Sequence, residues 1–106
     1  MCGGCILSKK YRGERTIDGL RVTVNGKELP DHTGNRKFTD YGFEWSYEGE
    51  SPHQLALAIL ADFTGDPDMS IRLSEGFMKS VIANLDNDWD LTSEQITKAL
   101  KELGKG

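Results

Sequence analysis

The sequence predicts an α+β fold: a small antiparallel sheet of three or four strands, covered on one face by three helices. The first half of the chain alternates apolar and polar residues with period two, whereas apolar residues in the second half recur at helical spacing. Strands come first and helices after, the order of a segregated α+β domain, not of an alternating parallel α/β sheet. A length of 106 residues gives one domain with one core. Residues 9–106 are expected to form that domain, and residues 1–8 a mobile N-terminal segment.

Residues 9–15 alternate weakly, and Thr16-Ile17-Asp18-Gly19 supplies a turn with glycine where positive φ costs least. Leu20, Val22 and Val24 then share one face of a strand, with Arg21 and Thr23 on the other. Asn25-Gly26 is a strong hairpin signal, and its two-residue turn returns the chain through Lys27-Glu28-Leu29 until Pro30 ends it. Residues 31–40 form a polar loop. In residues 43–48 aromatic and polar residues alternate without a break, which predicts a half-buried strand with Phe43, Trp45 and Tyr47 on its inner face.

The period then changes. Ser51-Pro52-His53-Gln54 has the composition of a capping box, and residues 55–63 are apolar on nearly every side except Asp62, so this helix is central and buried. Gly65 closes it, and Asp66-Pro67 opens the next. Phe77, Val81, Ile82 and Leu85 form one helical face, with Gly76 marking a break between a short helix and a longer one. Thr92-Ser93-Glu94-Gln95 is a second capping box, followed by an inner face of Ile96, Ala99, Leu100 and Leu103. The helices are expected near 52–64, 68–85 and 93–103.

Composition excludes some classes of function. The net charge of −4 comes with acids interleaved among Lys and Arg, so no clustered basic surface for nucleic acid is expected. No run approaches a membrane span, and the N-terminus lacks the apolar stretch of a signal peptide, so the expectation is a cytoplasmic protein.

Few residues could carry chemistry. Cys2 and Cys5 form a C-x-x-C pair, half of a tetrahedral zinc site, but the chain has no second pair, only His32 and His53. The pair reads as unligated thiols, with a zinc shared between two chains or a redox role as alternatives. Asp86-Asn87-Asp88-Trp89-Asp90 starts like a calcium loop but has Leu91 and Thr97 where the motif needs Gly and Glu. The segment from Asp62 to Asp68 fails the same test at Leu73, so both read as caps and turns. No phosphate loop, nucleophile elbow or metalloprotease helix is present, and no cofactor is expected.

If register follows the alternation, Arg12, Glu14, Arg21, Thr23, Glu44, Ser46 and Glu48 all point away from the buried helix. This face reads either as solvated cross-strand charge pairs or as a recognition surface. In the second reading Arg12 and Arg21 grip an anionic group, with Glu14, Glu44 and Tyr47 among the contacting residues and Tyr11, Arg15 and loop 31–40 extending the surface.

The runs Tyr11-Arg12-Gly13-Glu14-Arg15, Val22-Thr23-Val24-Asn25-Gly26, Phe43-x-Trp45-x-Tyr47-Glu48-Gly49 and Pro52-x-Gln54-Leu55-Ala56-Leu57-Ala58-Ile59-Leu60 carry a resemblance. Together with a late Trp89-x-Leu91, they make the chain similar to a family of small domains met in bacterial chromosomes, plasmids and phages. Ser46 and Glu50-Ser51 depart from the small, Gly-rich residues of that family's turn into its helix. The resemblance implies an architecture and a mobile-element setting, but no activity. The leading expectation is a non-catalytic binding protein, an accessory protein of a phage or other mobile element, acting on a host protein. A binder of a nucleotide-like anion is the alternative, and an enzyme using His53 or His32 is the third reading.

Overall fold

The computed structural model describes residues 9–17, 19–30 and 43–104. Cys2, Cys5, His32 and the loop 31–40 lie outside them. Strands β1 (Lys10–Thr16), β2 (Gly19–Val24) and β3 (Lys27–Glu28) are followed by helices α1 (Glu50–Thr64) and α2 (Pro67–Ser80). A 3-10 turn (Ile82–Asn84), strand β4 (Trp89–Thr92) and helix α3 (Ser93–Gly104) complete the order. The four strands form one antiparallel sheet in the order β3-β2-β1-β4. The expected α+β class therefore holds.

The β2–β3 hairpin turns as its sequence demands. Asn25 and Gly26 both have positive φ, 51° and 85°, the requirement of a type I′ turn. The hairpin is tied back to β1 by Lys10 N donating to Asn25 Oδ1 at 2.9 Å and Asn25 N to the Lys10 carbonyl at 2.9 Å.

The fourth strand is not where the alternation put it. Residues 43–48 form an irregular segment, with Ser46 in the left-handed region at φ 76°. An extended strand cannot pass through that conformation. Of the three aromatics, only Trp45 is fully buried; Phe43 is half-buried against the core, and Tyr47 is exposed. The strand position beside β1 goes instead to Trp89–Thr92, which pairs Lys10 with Thr92 and Gly13 with Trp89. Its inward Trp89 and Leu91 are buried, whereas Asp90 and Thr92 are exposed.

Helix α1 starts at Glu50 behind Gly49, with no side-chain cap, so the expected capping box at Ser51 does not form. Ser51 and Gln54 are buried inside the helix instead. Residues 54–61 are all buried, as an all-round apolar helix requires, and burial is worth about 1.5–3 kcal/mol per large side chain. Gly65 ends the helix in the left-handed conformation, φ 71°, its N–H donating to the Ala61 carbonyl. Asp66 then caps α2, its Oδ1 accepting from Met69 N at 3.2 Å with Pro67 at the first helical position.

Gly76 does not break α2, which runs to Ser80. It sits where Leu103 of α3 approaches so closely that a Cβ would lie 2.8 Å from its Cδ2. The capping box before α3 is reciprocal: Thr92 N donates to Gln95 Oε1 at 2.9 Å, and Gln95 N donates to Thr92 Oγ1 at 3.2 Å. Tyr11, Val22, Trp45, Trp89, Leu91, Ile59, Phe77, Ile82 and Ile96 belong to one core cluster. Among the described residues, no helix is long and apolar enough to cross a membrane.

Candidate functional site

Antiparallel pairing places directly opposed residues on one side of a sheet. The register sets Arg12 opposite both Thr23 and Asp90, Glu14 opposite Arg21, and Thr23 opposite Glu28. The neighbouring positions in each strand, Tyr11, Gly13, Val22, Trp89 and Leu91, are buried under the helices. Arg12, Glu14, Arg21 and Thr23 therefore share an open face, as the alternation suggested. Asp90 joins them, a residue that sequence reasoning assigned to a turn.

This face is a mosaic of both signs. Arg12 Nε lies 3.7 Å from Asp90 Oδ1, and Lys10 Nζ lies 4.0 Å from Asp90 Oδ2. Both pairs are solvent-exposed and contribute about 0–1 kcal/mol each. Arg21 makes no ion pair among the described residues. Its neighbours on the sheet edge, Leu20, Val22, Leu29, Pro30 and Phe43, line with Arg21 and Glu28 an open groove of about 410 Å³. Arg21 thus stands between the charged face and this open groove.

Glu44 and Tyr47 do not join this face, because the segment carrying them is not a strand. Glu44 is held by Arg15, whose Nη2 and Nη1 donate to Oε1 at 3.0 Å and Oε2 at 3.4 Å. The same guanidinium donates from Nε to Asn87 Oδ1 at 3.1 Å and from Nη2 to the Trp45 carbonyl at 3.3 Å, and lies 5.0 Å from the centre of the Trp45 ring. Trp45 Nε1 donates to the Asn87 carbonyl at 3.1 Å, and its ring meets Trp89 edge-on at 5.6 Å. Arg15 is thereby the hub of a second cluster. The tyrosine ring at 47 rests against Gly49, where a Cβ would lie 2.8 Å from Cε2.

The remaining polar candidates have structural partners. Asp62, the one polar break in α1's apolar run, accepts from the Tyr11 hydroxyl at 2.6 Å and from Lys9 Nζ at 3.1 Å. Burial first, then this hydrogen bond and the carboxylate's charge, raise the Tyr11 hydroxyl well above the ordinary tyrosine range. His53 Nε2 lies 2.8 Å from the Ser74 hydroxyl, and that hydroxyl donates to the Ile71 carbonyl at 2.8 Å. Ser74 is buried, and the pair ties α1 to α2. In the acidic loop, Asp88 accepts from Arg15 N at 3.3 Å. Among the described residues no group of three or more His, Cys, Asp or Glu side chains could hold a metal ion.

A sequence signal existed for two of the features missed. A lone acid in an apolar helix needs a partner, which pointed to Asp62, and a glycine inside a strand marks a close approach, which pointed to Gly13 under Trp89. Nothing in the spacing joined Arg15 to Glu44, because the two lie far apart along the chain.

The fold and this face define a small α+β domain with one open, charged sheet surface. The profile of a family of unknown function, DUF6166, matches residues 11–102, and the chain belongs to that family. No curated protein and no solved structure matches the chain.

Proposed function

We propose that this domain is a non-catalytic binding protein, an accessory protein of a phage or other mobile element, that occupies a host protein through its open sheet face. The observation that supports the reading is the position of Arg21: exposed, without an ion pair among the described residues, and bordering an open groove of mixed polar and apolar lining. An unpaired cation at the mouth of a groove suits a partner that offers a carboxylate on a projecting side chain or loop. Arg12, Glu14, Thr23 and Asp90 supply the polar surround, which fixes orientation and excludes mismatched partners more than it adds affinity. Glu44 and Tyr47 are not part of this surface.

The test is capture from host lysate by the wild-type domain and by an Arg12→Glu/Arg21→Glu variant. Both side chains are exposed, so the variant stays folded, at a cost of about 1 kcal/mol from like charges facing Asp90 and Glu14. The reading expects a stoichiometric host protein on the wild type and its loss from the variant. Equal capture by both would remove the face from the account. A thermal shift with phosphorylated small molecules, abolished by the same substitutions, would instead establish the anion-binding alternative.

A further inference from the structure

The β2–β3 turn carries a reactive pair in its own sequence. In Asn25-Gly26 the Gly26 backbone nitrogen can attack Cγ of the Asn25 carboxamide, and glycine has no side chain to hinder that approach. Both residues are exposed, and a Cβ at Gly26 would meet nothing within 4 Å, so no neighbour shields the nitrogen from outside. The turn itself selects the pair, because positive φ at both positions, 51° and 85°, favours asparagine followed by glycine. What the fold controls is the carboxamide. Its Oδ1 accepts from Lys10 N at 2.9 Å, while Asn25 N donates to the Lys10 carbonyl at 2.9 Å, so the side chain and main chain of Asn25 are both docked on the start of β1.

We infer that Asn25 is a site of spontaneous deamidation that the folded hairpin holds back, and that the Lys10 N–H is the group that holds it. The reaction joins the Gly26 nitrogen to Asn25 Cγ and expels the carboxamide nitrogen as ammonia, which takes up the Gly26 amide proton and leaves a succinimide. Water then opens the ring at either carbonyl, to aspartate or to isoaspartate. Ring closure requires the carboxamide carbon to turn towards the Gly26 nitrogen. A carboxamide oxygen fixed on Lys10 N, in a turn whose own Asn25 N is bonded to the Lys10 carbonyl, keeps it from doing so. The two products differ in what they do to the sheet. Aspartate keeps an oxygen for Lys10 N and adds a charge to the turn. Isoaspartate lengthens the main chain inside a two-residue turn. The turn then cannot keep the register of Thr23 with Glu28 and Val24 with Lys27, or the bond from Leu29 N to the Val22 carbonyl. None of this rests on the proposed function.

The test is peptide mapping by mass spectrometry of the full chain after incubation in mildly alkaline buffer, folded and in denaturing urea, with the peptide that holds Asn25 scored for aspartate and isoaspartate. The wild type is expected to convert at Asn25 about tenfold or more slowly when folded than when unfolded. Lys10→Pro deletes the N–H that Asn25 Oδ1 accepts. As the first residue of β1 the position tolerates proline, and the bond lost runs to a side chain, not to the sheet ladder. Folded Lys10→Pro should convert about two- to tenfold faster than folded wild type, the change that loss of one such hydrogen bond gives, while the unfolded rates stay alike. If the proline variant does not fold, exchange of the Lys10 amide in the wild type decides in its place: slow exchange supports the bond to Asn25, and exchange as fast as in the unfolded chain contradicts it. Equal conversion in the folded and unfolded wild type, no conversion at Asn25 in either, or a folded proline variant as slow as the wild type would overturn the inference.

Discussion

Replacing Gly13 by alanine isolates the contact on which the inner edge of the sheet depends. A Cβ at this position would lie 2.3 Å from Cε2, 2.4 Å from Nε1 and 2.6 Å from Cζ2 of Trp89. Ordinary contact between such atoms is about 3.5–4.0 Å, so the indole must move by about 1.2 Å or more. It has little room to do so, because it is 7% exposed and its ring meets the fully buried Trp45 edge-on. Overpacking of a rigid core usually costs about 1–3 kcal/mol, and a ring that cannot rotate away belongs in the upper half of that range. About 2–3 kcal/mol corresponds to a Tm lower by roughly 10–20 °C for a domain of this size. Urea denaturation followed by tryptophan fluorescence measures it, with the midpoint falling at an unchanged slope. In a double-mutant cycle with Trp89→Leu, the two substitutions should couple by about 1–2 kcal/mol, since the smaller side chain removes the clash. Stability of Gly13→Ala within about 0.5 kcal/mol of wild type would refute the reasoning.

The same substitution at Gly76 should behave in the opposite way. There the Cβ meets the Leu103 side chain, most closely its Cδ2, the end of a flexible side chain in the last turn of α3, so relief is cheap and the gain of helix propensity, about 1 kcal/mol, dominates; thermal melts should show Gly76→Ala unchanged or raised, and a clear drop would mean that Leu103 has no room to move aside. Tyr11 governs the alkaline limb of stability. Its folded hydroxyl stays protonated where the unfolded one ionises, near about pH 10, so the unfolded chain binds fewer protons and stability falls with rising pH by up to about 1.4 kcal/mol per unit. Tyr11→Phe loses the bond to Asp62 at neutral pH, but its denaturation midpoint should decline less steeply above about pH 10; equal slopes would count against a buried, acid-bound tyrosine.

The parts of the fold that were legible in the sequence are those whose signal is local. The Asn25-Gly26 turn, the Asp66-Pro67 and Thr92–Gln95 caps, and the all-apolar run of α1 are each set by residues within a few positions of one another. The misplaced strand shows the limit. Phe43, Trp45 and Tyr47 alternate like a strand, but only Trp45 is held by the core; the pattern gave no sign that Ser46 would turn the chain through a left-handed conformation. Trp89-x-Leu91 carries two inward residues, too few for periodicity to separate a strand from a turn. For the site, the alternation of β1 and β2 was enough to put Arg12, Glu14, Arg21 and Thr23 together. Glu44 was misassigned because its position depended on the strand that did not form. Asp90 and the Arg15 cluster depend on long-range packing of β4 against β1, which no local pattern encodes.

The most direct test of the central claim is a photo-crosslinking amino acid placed at Thr23, in the middle of the open face, and separately at Thr97 on the exposed side of α3, in the native host. The account predicts a discrete crosslinked host protein from Thr23 and none from Thr97. A partner captured from Thr97 alone, or no adduct from either position, would contradict a sheet face built for binding.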